Sequence, residues 1–369
     1  MPFWRTMRLT PRRAVSRVRV AGAAVLVLAL TSCASASDES APEGALPIRV
    51  MSTSATFTDL PTIVIAAQGY FEQVGLDAEF DFGSASNASL ITQTVIAGDA
   101  DVGISGAGAL YNAYAEGMTD LVSMGTANPS ITFGLALNQS TVDALAARGI
   151  TPDSPVTERV QALRGLQLTA SPQGSTGNSY LRVMLQEYGV NPDTDLTIVP
   201  NNDASAQIAS TRNGRTNGFA QSFPRVNFPE AQGWGTVWLN WAEDLPSLIP
   251  LASHDYYTTR AWLRDNPEAA RRLMQALWMA QRDLQNPTPE LRDKIKALPV
   301  FRELDPAAFD AGWDMSIGAY AGATPVTTQQ MFDNEAYLVN LSRGTPLTFT
   351  FEDIYDLGPA EAARPAQEG

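Results

Sequence analysis

Little in this 369-residue chain suits metal or redox chemistry: it holds one cysteine and one histidine. A single cysteine excludes a disulfide framework and any Cys-based zinc cluster. One histidine leaves no room for a His-rich metal site. Lysine is nearly absent, at Lys294 and Lys296 only, and charged residues make up 17% of the chain against 44% hydrophobic. Low charge beside an ordinary apolar fraction excludes wholesale disorder. Basic residues are outnumbered 25 to 39, a net charge of −14. A nucleic-acid partner is therefore not expected, since binding one requires a basic surface that displaces counterions. The chain also lacks a Gly-x-x-x-x-Gly-Lys-Ser/Thr run, so any ATP-driven work belongs to another subunit.

What is present begins with an uneven charge. Residues 1–32 hold six arginines (Arg5, Arg8, Arg12, Arg13, Arg17, Arg19) and no acid, and the remainder carries 19 basic against 39 acidic residues, net −20. After the arginines comes Val20-Ala-Gly-Ala-Ala-Val-Leu-Val-Leu-Ala-Leu30. Eleven apolar or small residues fall short of the roughly twenty that span a bilayer, and a basic stretch followed by a short apolar run reads as a secretory signal. Leu30-Thr31-Ser32-Cys33 resembles the lipobox of bacterial lipoproteins, which implies lipidation of Cys33 and removal of residues 1–32. Residues 33–46, rich in Ser, Ala, Glu and Pro, read as a flexible tether. The expected location is the extracytoplasmic face of the cell membrane, with a lipid anchor as the only membrane contact.

The rest of the chain alternates short β-branched runs with helical spacing. Strands are predicted at Ile48–Met51, Asp77–Phe82, Asp101–Ser105, Leu121–Gly125 and Ile131–Asn138, with helices over Pro61–Tyr70, Ala88–Ala97 and from Gly108 to Ala115. A polar stretch, Gln139–Thr157, then opens a second series. Strands are predicted there at Leu166–Ala170, Leu196–Val199 and Gly218–Ser222, with helices at Asn178–Tyr188 and Ala204–Thr211. A further strand is expected near Leu248–Ser253, and Asn266-Pro267 caps a long amphipathic helix to about Leu284. Such alternation implies βαβ units and mostly parallel sheets.

Five pieces in order, Ile48-Arg-Val50 with Leu60-Pro61, Ala67-Gln-Gly-Tyr-Phe-Glu-Gln-Val-Gly-Leu76, Ala97-Gly-Asp-Ala-Asp-Val-Gly-Ile-Ser105, Gln173-Gly-Ser-Thr-Gly177 and Leu185-Gln-Glu-Tyr-Gly-Val-Asn-Pro192, carry a resemblance. Leu163-Arg-Gly-Leu166, Asp195-Leu-Thr-Ile-Val199 and Asn266-Pro267-Glu268 extend it over about Ile48–Leu284. The chain resembles the nitrate/sulfonate/taurine-type periplasmic binding proteins, a group that includes relatives binding pyrimidine precursors of thiamine. At Arg215-Thr-Asn-Gly218 it departs from their Gly-x-x-Asp-Ala pattern. The resemblance implies a bilobed type II periplasmic-binding-protein fold: two doubly wound α/β domains joined by two crossing strands. The first domain would comprise residues 47–138 and 251–355, the second 139–250, with a tail at 356–369 and crossings near Ala136–Ser140 and Leu248–Ser253. The implied role is solute capture for an ABC importer by a monomer whose partners are a small molecule and the permease and ATPase subunits, with no cofactor and no resident metal. A tethered receptor for a sensor partner is the alternative role.

In open α/β sheets ligands bind at carboxyl ends of strands, where helix N-termini present unpaired N–H groups. Four stretches fall there. They nominate Ser54, Phe57 and Thr58 after the first strand; Ser105, Gly106, Ala107 and Gly108 after the third; Ser175 and Thr176 in the second domain; and Gln221, Ser222 and Phe223 after a later strand. Phe57, Tyr111 and Phe223 could stack on a planar ligand or serve as core aromatics. Arg225 could pair with a carboxylate or sulfonate, or be a solvated surface arginine. His254 has no nucleophile elbow to serve, and Asp99/Asp101 and Asp353/Asp356 lack calcium-loop spacing, so no enzyme is expected. The expected solute is a small organic anion, a sulfonate, a taurine-like compound or an aromatic or other carboxylate, with a thiamine-precursor-like pyrimidine or other heterocycle as the alternative.

Overall fold

The computed structural model describes residues 44–53, 56–83, 88–302 and 304–366. Cys33, Ser54, the signal segment and all but the end of the tether lie outside the described residues. The first sheet is built by β1 (Leu46–Ser52), α1 (Leu60–Gln68), β2 (Leu76–Phe82), α2 (Ala88–Ala97), β3 (Val102–Gly106), α3 (Ala107–Ala115) and β4 (Leu121–Asn128). The second comes from β5 (Phe133–Asn138), α4 (Gln139–Ala146), β6 (Gln167–Ala170), α5 (Thr176–Glu187), β7 (Thr197–Pro200), α6 (Ala204–Arg212), β8 (Gly218–Ser222) and β9 (Gly235–Asn240). The chain then returns with β10 (His254–Thr259), α7 (Pro267–Gln285), α8 (Pro306–Ile317), α9 (Gln329–Arg343) and α10 (Gly358–Ala362).

Strand order is β2-β1-β3-β10-β4 in one sheet and β7-β6-β8-β5-β9 in the other. Each sheet is parallel except for one reversed strand, β10 in the first and β5 in the second. Both reversed strands are the first to form after the chain changes sheets. The architecture is thus two α/β lobes with mixed sheets.

Several local expectations are corrected. Phe133–Asn138 pairs with β8 and β9, so the first crossing is at residues 129–132 and not at Ala136–Ser140, and the second lobe begins before 139. Leu248–Ser253 is no strand: Pro250 has no N–H to give a ladder, and pairing starts at His254. The polar stretch after Gln139 holds α4, whose N-cap Asn138 accepts from the Thr141 N–H at 3.0 Å while Val142 and Leu145 turn inward. Strand β9 was not foreseen. The first part of the expected C-terminal tail is folded: α10 packs on α7, with Ala360 and Ala363 buried and Trp278 Nε1 donating to the Ala360 carbonyl at 2.8 Å.

Helix α7 shows why the first lobe holds together. Pro267 starts it at a position where no N–H is needed, and Ala270, Leu273, Met274, Leu277, Ala280 and Leu284 recur at helical spacing into the core. Helices α8 and α9 reach the other lobe. Gly312 of α8 lies against Pro224, Asn227 Nδ2 approaches Met315 Sδ at 3.2 Å, and Leu338 of α9 belongs to the second lobe's apolar core. The two crossing segments bond to one another, Leu251 N to the Pro129 carbonyl at 3.0 Å and Ser253 N to the Asn128 carbonyl at 3.1 Å.

Candidate functional site

A cavity of about 580 Å³ lies between the lobes, within the size range of small-molecule sites. Strand ends form its walls, because the loops after β1, β3, β6 and β8 all open to it. Hydroxyl and amide groups dominate: Thr53, Thr56, Thr58, Ser171, Ser175, Thr176, Ser179, Asn202, Gln221 and Ser222 line it. Among the described residues the rings that do so are Phe133, Tyr180 and the imidazole of His254. The lobes meet at its edge, where a Cβ at Gly106 would collide with Thr176 Oγ1. Close approach and not backbone conformation favours glycine there, since any Cβ would force the Thr176 hydroxyl to move.

Of the residues nominated from sequence, Thr58, Gly106, Gly108, Ser175, Thr176, Gln221 and Ser222 stand in the cavity wall. The aromatic nominees do not. Phe57 is fully buried among Phe301, Phe309 and Trp313, Phe223 is fully buried in the first core, and Tyr111 lies in a core cluster with its hydroxyl 2.8 Å from that of Tyr355. Their large apolar area is better removed from water in the core than displayed in a cleft. Ser105 and Ala107 are also buried behind the wall, Ser105 Oγ lying 3.0 Å from the Tyr257 hydroxyl.

The charged groups of the wall define its chemistry. Arg225 is partly buried and lines the cavity, and its side chain has no ion pair or hydrogen bond among the described residues, so its solvated-surface reading is set aside. Burial alone acts on it, lowering its pKa. His254, almost wholly buried at the cavity wall, is pushed down to about 4 by burial and is neutral at pH 7.

Two acids were missed from sequence. Asp59 is 1% exposed and Glu335 3%, both line the cavity, and each has one carboxyl oxygen without a partner, Asp59 Oδ1 and Glu335 Oε2. Burial raises both well above the usual carboxyl range. The Thr53 and Ser52 hydroxyls oppose it at Asp59; at Glu335 the Asp255 charge adds to it and the Gly108 backbone opposes it. Glu335 did leave a trace in the sequence. It falls on the buried face of α9, in register with Met331, Leu338 and Val339, where an acid has no structural reason to be. The cavity thus sets one unpaired cation against two acids held towards their neutral forms. Glu116, on the exposed rim, is the other acid of its lining. Among the described residues no group of three or more His, Cys, Asp or Glu side chains could hold a metal ion, and no helix is long and apolar enough to cross a membrane.

A family model described as NMT1/THI5 like matches residues 57–288. No curated protein matches the sequence. Among solved structures, the alkanesulfonate-binding protein SsuA from Xanthomonas axonopodis pv. citri, bound to MOPS, is similar with a TM-score of 0.61 and 15% identity, over 84% of this chain and 98% of that one. The periplasmic nitrate-binding protein NrtA from Synechocystis PCC 6803 gives 0.63 and 15% over 86% and 88%. A Candida albicans protein with the generic periplasmic binding protein fold gives 0.57 and 14% over 86% and 95%.

Proposed function

We propose, for a chain that belongs to the NMT1/THI5-like family, that it captures a small organic anion between its lobes outside the cell membrane and delivers it to the permease of an ABC importer. Arg225 carries this reading. A guanidinium removed from most of its water and left without a counterion is costly, and an anionic group accepting from its planar fork supplies the missing partner. With Asp59 and Glu335 held towards neutrality, little negative charge in the wall opposes that anion. Ser175, Thr176, Gln221 and Ser222 add hydroxyl and amide contacts, and the open strand ends add backbone N–H groups.

A sulfonate or carboxylate fits this wall better than a heterocycle held by stacking, because Phe57, Tyr111 and Phe223 lie in the core and the wall's own Phe133 and Tyr180 rings pack against each other and Trp241. Lobe closure is then a population shift driven by contacts made to both lobes at once. The anchor in this reading is a lipid on Cys33, reached by export of residues 1–32, and the unit that binds is a monomer. The first lobe comprises residues 46–128 and 254–366, and the second 133–240.

The test is a thermal-shift panel of alkanesulfonates, carboxylates, nitrate, aminopyrimidines and neutral sugars. A ligand at a hundred times its dissociation constant stabilises by about 2.7 kcal/mol. Stabilisation by organic anions and by no neutral compound supports the reading; stabilisation by neutral compounds alone refutes it.

A further inference from the structure

Two helices begin at the edge where the lobes meet. Gly106, the N-cap of α3, comes so close to Thr176, the first residue of α5, that a Cβ on the glycine would collide with the threonine hydroxyl. Both first turns line the cavity, through Gly106, Gly108 and Ala109 on one side and Ser175, Thr176 and Gly177 on the other. A helix N-terminus offers unpaired N–H groups and the positive end of a dipole, so each turn is a cradle for an anionic or carboxyl oxygen. Neither is capped by its own N-cap side chain. Gly106 has none, and Ser175 Oγ donates instead to the Pro172 carbonyl at 2.7 Å.

The two cradles are not equivalent, because a carboxyl from a distant part of the chain stands in the one on α3. Glu335 is 3% exposed, its Oε1 lies 3.0 Å from the point a Cβ on Gly108 would occupy, and the Gly108 backbone favours its charged form. Helix α9 holds it there from several sides. The Met331 carbonyl accepts from Ala252 N at 3.1 Å, Asn334 Nδ2 donates to the Pro250 carbonyl at 2.7 Å, and Phe332 packs on Tyr111 of α3 with ring centroids 5.3 Å apart. The Ala107-Gly108-Ala109 turn has no side chain large enough to keep the carboxyl out. Among the described residues no carboxyl takes the same place on α5.

We infer that Glu335 is a selectivity residue: by filling the α3 cradle it confines the solute's anionic group to the second lobe, on Arg225 and the α5 turn, and turns away solutes that carry a second anionic group at their other end. This goes a step beyond the anion-capture reading and rests on it. A cavity of about 580 Å³ has room for a two-headed anion, so rejection comes from the filled cradle and not from volume. The second head would give up its water and meet a carboxyl where it needs N–H groups. Discrimination of this kind acts against the wrong solute without adding a contact to the right one.

The experiment is titration calorimetry on the purified protein with n-alkanesulfonates and n-alkanoates of two to six carbons, each beside the chain of equal length that carries the anionic group at both ends. The expected result is about tenfold or more tighter binding of the one-headed member of each pair. In Glu335→Ser, which empties the cradle, the preference falls to about threefold or less; in Glu335→Gln, whose side-chain carbonyl still reaches Gly108, it is kept. Formate is a second readout: it raises the melting temperature of Glu335→Ser more than that of the parent, because a small carboxylate re-enters the vacated place. Should Glu335→Ser not fold, Glu335→Asp, which draws the carboxyl back by one methylene, is read in the same way. Two-headed anions bound by the parent as tightly as one-headed ones, or a preference unchanged in the emptied variant, overturns this inference and leaves anion capture standing. Binding by neither series overturns both.

Discussion

His254 is the only histidine in the chain, so its ring resonances need no assignment. It sits at the cavity wall, is 5% exposed, and its pKa is lowered from the ordinary 6.5 to about 4 by burial. That gap corresponds to about 3 kcal/mol, at 1.36 kcal/mol per tenfold change. The unfolded chain binds this proton between pH 4 and 6.5 and the folded chain does not. The contribution is therefore fully present above pH 6.5 and lost as pH falls towards 4. Replacing the ring by a group that does not titrate, His254→Gln, removes this dependence while any fixed cost of the substitution cancels between two pH values. From the two pKa values, the stability difference between parent and variant changes by about 2 kcal/mol from pH 7 to pH 5. Urea unfolding at both pH values measures it, and proton NMR of the parent reads the ring directly. A ring that titrates with a midpoint at 6 or above, or a difference independent of pH, would refute the burial argument.

Asp255 gives the opposite sign. Ser123, Thr126 and Tyr355 donate to it at 2.6–2.9 Å, yet burial raises it to about 6, so its contribution is present below pH 4 and lost as pH rises through 6. Relative to Asp255→Asn, the parent loses about 2 kcal/mol between pH 4 and 7, read by the same unfolding assay. Arg225→Met lowers affinity for the anion about 30-fold, the equivalent of a charge-assisted bond of about 2 kcal/mol, while the ligand-free protein melts no lower than the parent; calorimetry and a melting curve check both. Gly106→Ala drives a methyl against Thr176 Oγ1 and weakens ligand binding several-fold; adding Thr176→Ala restores it if the contact is the cause. Deleting residues 357–369 uncovers Trp278 and removes the buried Ala360 and Ala363, costing about 2 kcal/mol, seen as a lower melting temperature and red-shifted tryptophan emission.

Much of the scaffold was legible because strands such as Asp77–Phe82 and helices such as Ala88–Ala97 announce themselves by local periodicity. Strand direction was not. Whether β5 belongs to the first sheet or enters the second in reverse depends on partners eighty or more residues away, Gly218–Ser222 and Gly235–Asn240. The cavity followed the same division. Glycines and hydroxyls at strand ends were found by position, since the loops of an α/β sheet place them. Aromatic side chains such as Phe57, Tyr111 and Phe223 were left open between core and cleft, because burial and display draw on the same residue type. Glu335 arrives from a helix more than two hundred residues beyond the first turn of α3 that it faces at Gly108, and only its place on an apolar helix face hinted at it.

The position of β10 between β3 and β4 has a consequence for how the molecule comes into being. A chain that emerges N-terminus first presents β1 to β4 long before His254–Thr259 exists. During that interval β3 and β4 have no bridge between them, and each offers an open row of backbone groups beside apolar side chains. The second sheet suffers no such delay, since all its strands lie between Phe133 and Asn240. The later-made lobe can therefore close first, and the earlier half must wait, shielded or held extended, for a strand synthesised after its neighbour is complete.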